Sequence, residues 1–363
     1  AEEPVAEEPA VATETEPKHK PKLFAVMPEE MHGPDGLTVS EKTGTLFLTV
    51  PNFNGRDGDV GPKKNPGMLA KVGMDGSVEK LLVFPVLEET GQTGCMGIDF
   101  GPDGHLYVAD NQYFFKTDHR SRILRVVMDG DVPTGKVEVV AEGLKLPNAV
   151  LWVGDTLYVT DTFLDLPDKF GAGGIWAFSK EEILKAGTEG NESIKVLPNG
   201  ADPRLVVKED VAKIGRGDNG GFDGLAATPD GTLYAGNFGN GALYAIRFAE
   251  DGKPNVEMIH GPGDVFDCCD GIFYDKGTDR IYINDSAKNA IRAFKPTKPG
   301  EKAVLELIWE NGETDGADGL LDQPCECVVI GDKMYVVNFD WPFPGMVNVK
   351  YEAPSTMSVI ELK

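Results

Sequence analysis

Residues 223–237 read DGLAATPDGTLYAGN. An acid and a glycine open an apolar run, the turn Thr228-Pro-Asp-Gly231 reverses the chain, and a second run leads back to an amide. Short β-branched or aromatic runs around such a turn predict a tight antiparallel hairpin. Five other stretches share the form. The returning strands are TLFLTV (45–50), HLYVAD (105–110), TLYVTD (156–161), RIYIND (280–285) and KMYVVN (333–338). The leading strands begin at Asp35 (DGLTV), Met96 (MGIDF), Asn148 (NAVLW), Asp270 (DGIFY) and Glu326 (ECVVI). Together with Asp223, these starts are separated by 61, 52, 75, 47 and 56 residues.

Further strands follow the hairpins, as at 68–72 with 78–84, 123–128 with 137–141, and 242–248 with 256–259. Units of four strands at such intervals define a β-propeller whose loops carry insertions. Six copies predict an all-β, six-bladed β-propeller over residues 22–363. The last unit shows only one further strand, 357–362, and the segment LFAVM (23–27) is expected to supply the missing one. That closure would leave no open sheet edge at the seam. Two packed β-sandwiches are the alternative, which leaves six matched hairpins unexplained. The single helix expected is an insertion at 180–185. Residues 1–21, with six Glu and repeated Pro, predict a disordered acidic leader. With no initiating Met, the chain reads as an exported protein, periplasmic or extracellular, whose signal peptide has been removed.

Composition narrows the partners. The 35 Lys and Arg against 59 Asp and Glu leave a formal charge of −24. This disfavours phosphate backbones and anionic membrane surfaces and concentrates cations. The most apolar stretch, LLVFPVL (81–87), is far too short to span a bilayer. A small-molecule substrate is the expected partner, with no nucleic acid and no membrane; the oligomeric state stays open. No Gly-x-Ser-x-Gly, Walker loop or dinucleotide fingerprint occurs.

The innermost strands of a propeller line its channel, and their first residues meet at one mouth. Those residues are Asp35, Met96, Asn148, Asp223, Asp270 and Glu326. Two carboxylates about 5 Å apart repel by roughly 3 kcal/mol at an effective dielectric near 20. With no Lys or Arg at an equivalent position, a bound cation is the economical compensation. Carboxylate and amide oxygens suit Ca²⁺ better than the tighter octahedron of Mg²⁺. The competing reading makes these residues ordinary turn formers at strand starts. The ends of the returning strands, Asp110, Asp161, Asn237, Asn284 with Asp285, and Asn338, approach the same mouth or are solvated turns.

The starts Asp35, Asn148 and Asp223, with turns such as Gly101-Pro-Asp-Gly104 before LY-containing strands, resemble the regucalcin (senescence marker protein)/gluconolactonase family. Diisopropyl fluorophosphatase and the paraoxonases are more distant relatives of that family. The resemblance spans most of residues 23–363. It implies a six-bladed propeller with a divalent cation, usually Ca²⁺, in its channel, and hydrolysis of lactones or related esters. Asp35 stands where the family has a glutamate ligand and Asn148 where it has an asparagine ligand. Asp223 stands at an aspartate that binds metal and can serve as base or nucleophile. Met96 and Gly94 depart from the pattern, at positions where the family has an asparagine and can have a substrate-binding arginine. The metal ligands expected are therefore Asp35, Asn148, Asp223, Asp270 and Glu326, with Asp223 or Asp270 activating water. A non-catalytic metal- or protein-binding scaffold is the alternative, and a quinone-cofactor oxidoreductase a third.

All five cysteines adjoin the ring positions: Cys95, Cys268, Cys269, Cys325 and Cys327. Adjacent Cys268 and Cys269 are poorly placed to bond each other, their Cα atoms being about 3.8 Å apart. A disulfide between blades, such as Cys269 to Cys325, is the first expectation. A soft-metal site for Cu or Zn built from Cys95, Met96, Cys269 and Cys325 is the second. Buried thiols packing as small hydrophobes are the third. His32 is expected in a surface loop or at the mouth, and Trp341 to Gly345 to wall the pocket or simply to pack as a loop.

Overall fold

The computed structural model describes residues 18–53, 65–115, 118–166, 169–210, 221–263 and 268–363. Nearly all of its regular structure is β, arranged as six sheets in a ring. Blade one comprises Leu37–Val39, Leu46–Val50, Met68–Val72 and Val78–Val83. Blade two comprises Cys95–Phe100, Leu106–Asp110, Ser121–Asp129 and Val132–Leu144. Pro147–Val153, Thr156–Leu166, Lys169–Ser179 and Leu205–Asp210 form blade three, and Phe222–Ala227, Leu233–Asn237, Leu243–Phe248 and Pro254–His260 form blade four. Blade five has Ile272–Asp275, Arg280–Asp285, Ala290–Phe294 and Glu306–Glu310. Pro324–Ile330, Lys333–Asn338 and Thr356–Glu361 make three strands of blade six. Its fourth is Lys22–Val26, antiparallel to Thr356–Glu361 with Lys22 opposite Val359 and Val26 opposite Thr356. The ring therefore closes as the sequence predicts. The leader proposed for 1–21 falls outside the described residues up to position 17.

The Asp-Gly signature at the inner strands has a packing cause. Gly36, Gly97, Gly224 and Gly271 each follow a ring residue, and none carries the positive φ that would mark a turn glycine. A Cβ at each would come within 2.1–2.5 Å of a carbonyl oxygen on the next blade: Met96, Asn148, Asp270 and Cys325 respectively. Glycine is thus required by close approach of neighbouring inner strands. Two hydroxyls fasten the same seam. Thr49 Oγ1 accepts from Gly36 N at 2.9 Å and donates to Met96 O at 2.6 Å. Thr160 Oγ1 accepts from Ala149 N at 2.8 Å and donates to Asp223 O at 2.7 Å.

Two details extend the sequence reading. Blade two gains a fifth, parallel strand, Ile194–Lys195, too short to show a period. The helix Lys180–Lys185 forms where expected: the Ser179 hydroxyl caps Glu182 N, and Ile183 is buried. Its last carbonyls, Ile183, Leu184 and Ala186, accept from the Arg125 guanidinium, which is itself paired with Glu138. Among the described residues no helix is long and apolar enough to cross a membrane.

Candidate active site in the channel

Five of the six ring residues surround one void. Asp35, Asn148, Asp223, Asp270 and Glu326 border a space of about 10 Å³ inside the channel, about the volume accessible to one water-sized sphere. Above it lies the mouth, with about 40 Å³ of free space. Asp35, Asn148, Asp223 and Asp270 border both spaces, Glu326 only the inner one and Met96 only the mouth. Among the described residues lining either space there is no Lys, Arg or His. A wider cavity of about 690 Å³ at the opposite end is bordered by Trp152, Phe100, Phe273 and Tyr274. Asp99, a partly buried acid on its wall, accepts from the backbone N–H groups of Phe100 and Trp152, each at 2.8 Å.

The electrostatics of the ring are those of acids crowded out of water. Burial pushes Asp35 well above the ordinary carboxyl range, and the Asp270 charge adds to it. Asp223 is pushed up by burial and then by the charges of Asp270 and Asp35. Glu326 is raised mainly by burial, although the Cys327 N–H opposes this. Asp270 is likewise raised by burial, with the Ser286 hydroxyl working against the shift. Asn148 Nδ2 donates to Asp223 Oδ2 at 2.8 Å, and Asp223 and Asp270 are hydrogen-bonded to each other. The Ser286 hydroxyl lies 2.6 Å from Asp270 Oδ2 and 2.7 Å from the Pro324 carbonyl. A serine has one proton to give, so a protonated Asp270 satisfies both contacts. Ser286 and the two seam threonines escaped the sequence reading. The threonines could have been found, since Thr49 and Thr160 share the fifth place of TLFLTV and TLYVTD.

The donor chemistry fits a hard cation: four carboxylates and one amide around a sphere-sized void, with no positive side chain among the described lining residues. The oxygens are nonetheless spread around the ring. Among the described residues only Asp322, Asp340 and Glu352, on blade six and its long connection, bring three ligand atoms within 4.8 Å of one another. There Asn348 Nδ2 donates to Asp322 Oδ1 and Asp340 Oδ1, both at 3.1 Å. Burial and neighbouring acids raise Asp322 to about 8, and burial raises Asp340 to about 7. Sequence reading missed this cluster.

Of the cysteine expectations the structure shows the third, buried thiols, in place of the disulfide. No disulfide forms, and Cys95, Cys269, Cys325 and Cys327 are buried thiols. Side chains alternate along a strand, so a residue next to a channel-facing one points away, into the wedge between blades. Cys95 Sγ approaches Met68 O, Cys325 Sγ approaches the carbonyls of Pro34 and Asp35, and Cys269 packs against Gly236. Cys268 sits with Phe238, Ala287 and Met346, and Cys327 among Tyr282, Ile291 and Met334. The sulfurs of Cys95, Cys269 and Cys325 belong to three separate apolar clusters, and Met96 faces the mouth. The set proposed for Cu or Zn is therefore dispersed. His32 is buried beside Tyr351, whose hydroxyl meets its Nδ1, and it borders neither channel space.

The returning-strand ends are clasps rather than solvated turns. Asp110 Oδ1 accepts from Gly94 N, Asp161 Oδ1 from Leu146 N, and Asn338 Oδ1 from Asp322 N, each just ahead of a leading strand. All three are fully buried.

Fold and site together define a six-bladed propeller with an acidic channel. No family model matches the chain, and no curated protein is similar enough in sequence to count as a relative. Solved structures do share the architecture. A PQQ-bound aldose sugar dehydrogenase from Streptomyces coelicolor aligns over 95% of this chain and 98% of its own, with TM-score 0.61 and 16% identity. A gluconolactonase from Xanthomonas campestris aligns over 95% of both chains, with TM-score 0.53 and 13% identity. A luciferin-regenerating enzyme aligns over 94% of both, with TM-score 0.53 and 12% identity. Identities this low establish a shared fold.

Proposed function

We propose that the protein hydrolyses lactones or related esters at the channel mouth, with a hard divalent cation, calcium by its donor chemistry, held by Asp35, Asn148, Asp223, Asp270 and Glu326. The observation that carries this is the void of about 10 Å³ bordered by those five oxygen donors and, among the described residues, by no cationic side chain. The similarity in fold to a gluconolactonase supports the reaction class. When bound, such an ion supplies Lewis acidity toward a carbonyl oxygen.

The chain's own residues handle the proton. Asp223 and Asp270 border both the void and the mouth, so either carboxylate can meet a water above the ring. Asn148 orients Asp223, and Ser286 orients Asp270. Water's oxygen bonds to the acyl carbon, the acyl C–O bond breaks, and the proton taken by the carboxylate passes to the leaving alkoxide.

Elemental analysis of the full chain, followed by a lactone and aryl-ester panel with and without chelator, tests the proposal. Hydrolysis that falls on chelation and returns with Ca²⁺ is expected. A calcium-loaded protein inert toward the whole panel would overturn the enzymatic reading and leave the ring as a binding scaffold.

A further inference from the structure

The walls of the mouth differ in kind from its floor. Above the acids stand Phe114, Phe238, Phe339 and Phe343, joined by Met96 and Leu146, and among the described lining residues the single hydroxyl is that of Thr162. The rings belong to a continuous aromatic chain drawn from several blades. Phe238 meets Phe343 edge-on with centroids 5.8 Å apart, and Phe343 stacks on Phe339 at 6.4 Å and 13°. Phe339 meets Phe53 at 6.3 Å, and Phe53 meets Phe114 at 5.2 Å. Gly94 is fixed by the backbone behind this chain: a Cβ there would lie 2.2 Å from Asn111 O, and 3.2 Å from both Phe53 and Phe115. Trp341 stands behind Phe339, at 6.2 Å.

We infer that the substrates are lactones or esters with an apolar, preferably aromatic, body, and that the Phe114–Phe238–Phe339–Phe343 collar selects them against polyhydroxylated sugar lactones. This inference rests on the hydrolytic reading of the channel. A polyol entering the collar exchanges hydrogen bonds to water for ring faces that cannot accept or return them, whereas an aryl body gains edge and stacking contacts. The 40 Å³ of free space is too small for either body with the rings at rest. Phe114 and Phe343, which are only partly buried, are the rings positioned to move outward on entry.

The test compares kcat/KM for dihydrocoumarin and glucono-δ-lactone on the calcium-loaded full chain, for wild type, Phe343→Ala, Phe114→Ala and the conservative Phe343→Leu. Dihydrocoumarin should lead by at least about tenfold in wild type, a margin within reach of apolar pocket contacts. The margin should shrink severalfold in each alanine variant and recover in the leucine one. A preference for glucono-δ-lactone would overturn the collar inference while leaving hydrolysis intact. If neither lactone is hydrolysed, titration calorimetry with the non-hydrolysable lactam analogue, 3,4-dihydroquinolin-2-one, decides separately. Binding that Phe343→Ala and Phe114→Ala both weaken sustains the collar without the hydrolase; no binding to wild type, or binding that neither variant alters, removes it. Thermal melts of each variant show whether a loss reflects unfolding.

Discussion

The protein holds two groups of buried acids, and they relieve their repulsion differently. In the channel, Asp35, Asp223, Asp270 and Glu326 are spread around a void beneath an open mouth. On blade six, Asp322, Asp340 and Glu352 are drawn within 4.8 Å and bridged by the fully buried Asn348 amide. The second group borders none of the channel space. Tight packing with an amide bridge and raised carboxyls ties a long connection to its blade. Wider spacing around a sphere-sized void, with raised carboxyls and no positive side chain among the described lining residues, leaves room for a cation. The contrast is between acids drawn together, with Asn348 joining Asp322 to Asp340, and acids spread around a void.

The largest effect expected from breaking this contrast is on turnover. Asp223→Asn should lower kcat/KM for the best substrate by about 10²–10⁴-fold, the usual worth of a positioned base, whereas Asp322→Asn should leave it within a few fold. Equal losses in both variants would show that the groups act as one. Next comes cation affinity. Calcium titrated by calorimetry should bind wild type and Asp322→Asn alike and Asp223→Asn far more weakly; retention in Asp223→Asn with loss in Asp322→Asn would exchange the roles assigned to the two groups. Saturating calcium at about 100 times its Kd should also stabilise wild type by about 2.7 kcal/mol in urea melts.

Smaller effects probe the blade-six group. Asn348→Leu strips two buried carboxyls of a donor and should cost about 2–3 kcal/mol in denaturant unfolding; a cost below about 0.5 kcal/mol would show that the bridge is ornamental. The last prediction concerns pH. Asp322 and Asp340 have folded-state values raised to about 8 and about 7, against an ordinary Asp value near 3.9 when unfolded. Between those limits the folded state binds more protons than the unfolded one, so their stabilising contribution is complete below about pH 4 and declines as pH rises to about 8. The charges acting on them are mainly those of Glu352, Asp315 and Glu313, with Lys350 opposing at Asp340. Asp322→Asn should flatten the decline above pH 7 in chemical melts of the calcium-free protein. An unchanged slope would place the titration elsewhere.

The two groups were not equally legible. The channel ring could be read because a propeller repeats: the same hairpin recurs six times, and the first residue of each leading strand meets the others at the axis. Asp322, Asp340 and Glu352 lie in connections that have no copy in the other blades, so no comparison within the sequence marks them. The cysteines misled for a different reason. Cys95, Cys269 and Cys325 adjoin ring residues in sequence, but strand alternation turns adjacent side chains to opposite faces, and each sulfur enters a different wedge. The recurrent glycines were visible, yet their purpose was not, because the atom that forbids a side chain at Gly224 belongs to Asp270 on the next blade. The collar assembles from Phe114, Phe238, Phe339 and Phe343 in loops after the returning strands of three blades, and only Phe238 and Phe339 share a place, directly after Asn237 and Asn338.

The seam at blade six also sets how the molecule bears load. Lys22 lies opposite Val359 and Val26 opposite Thr356, so the outward ends of the two paired strands leave the sheet side by side. Tension applied between positions 22 and 361 would open the backbone hydrogen bonds in succession, as a zipper parts, rather than straining the whole row in shear. The ring that resists thermal opening by closing on itself is mechanically soft at that one joint.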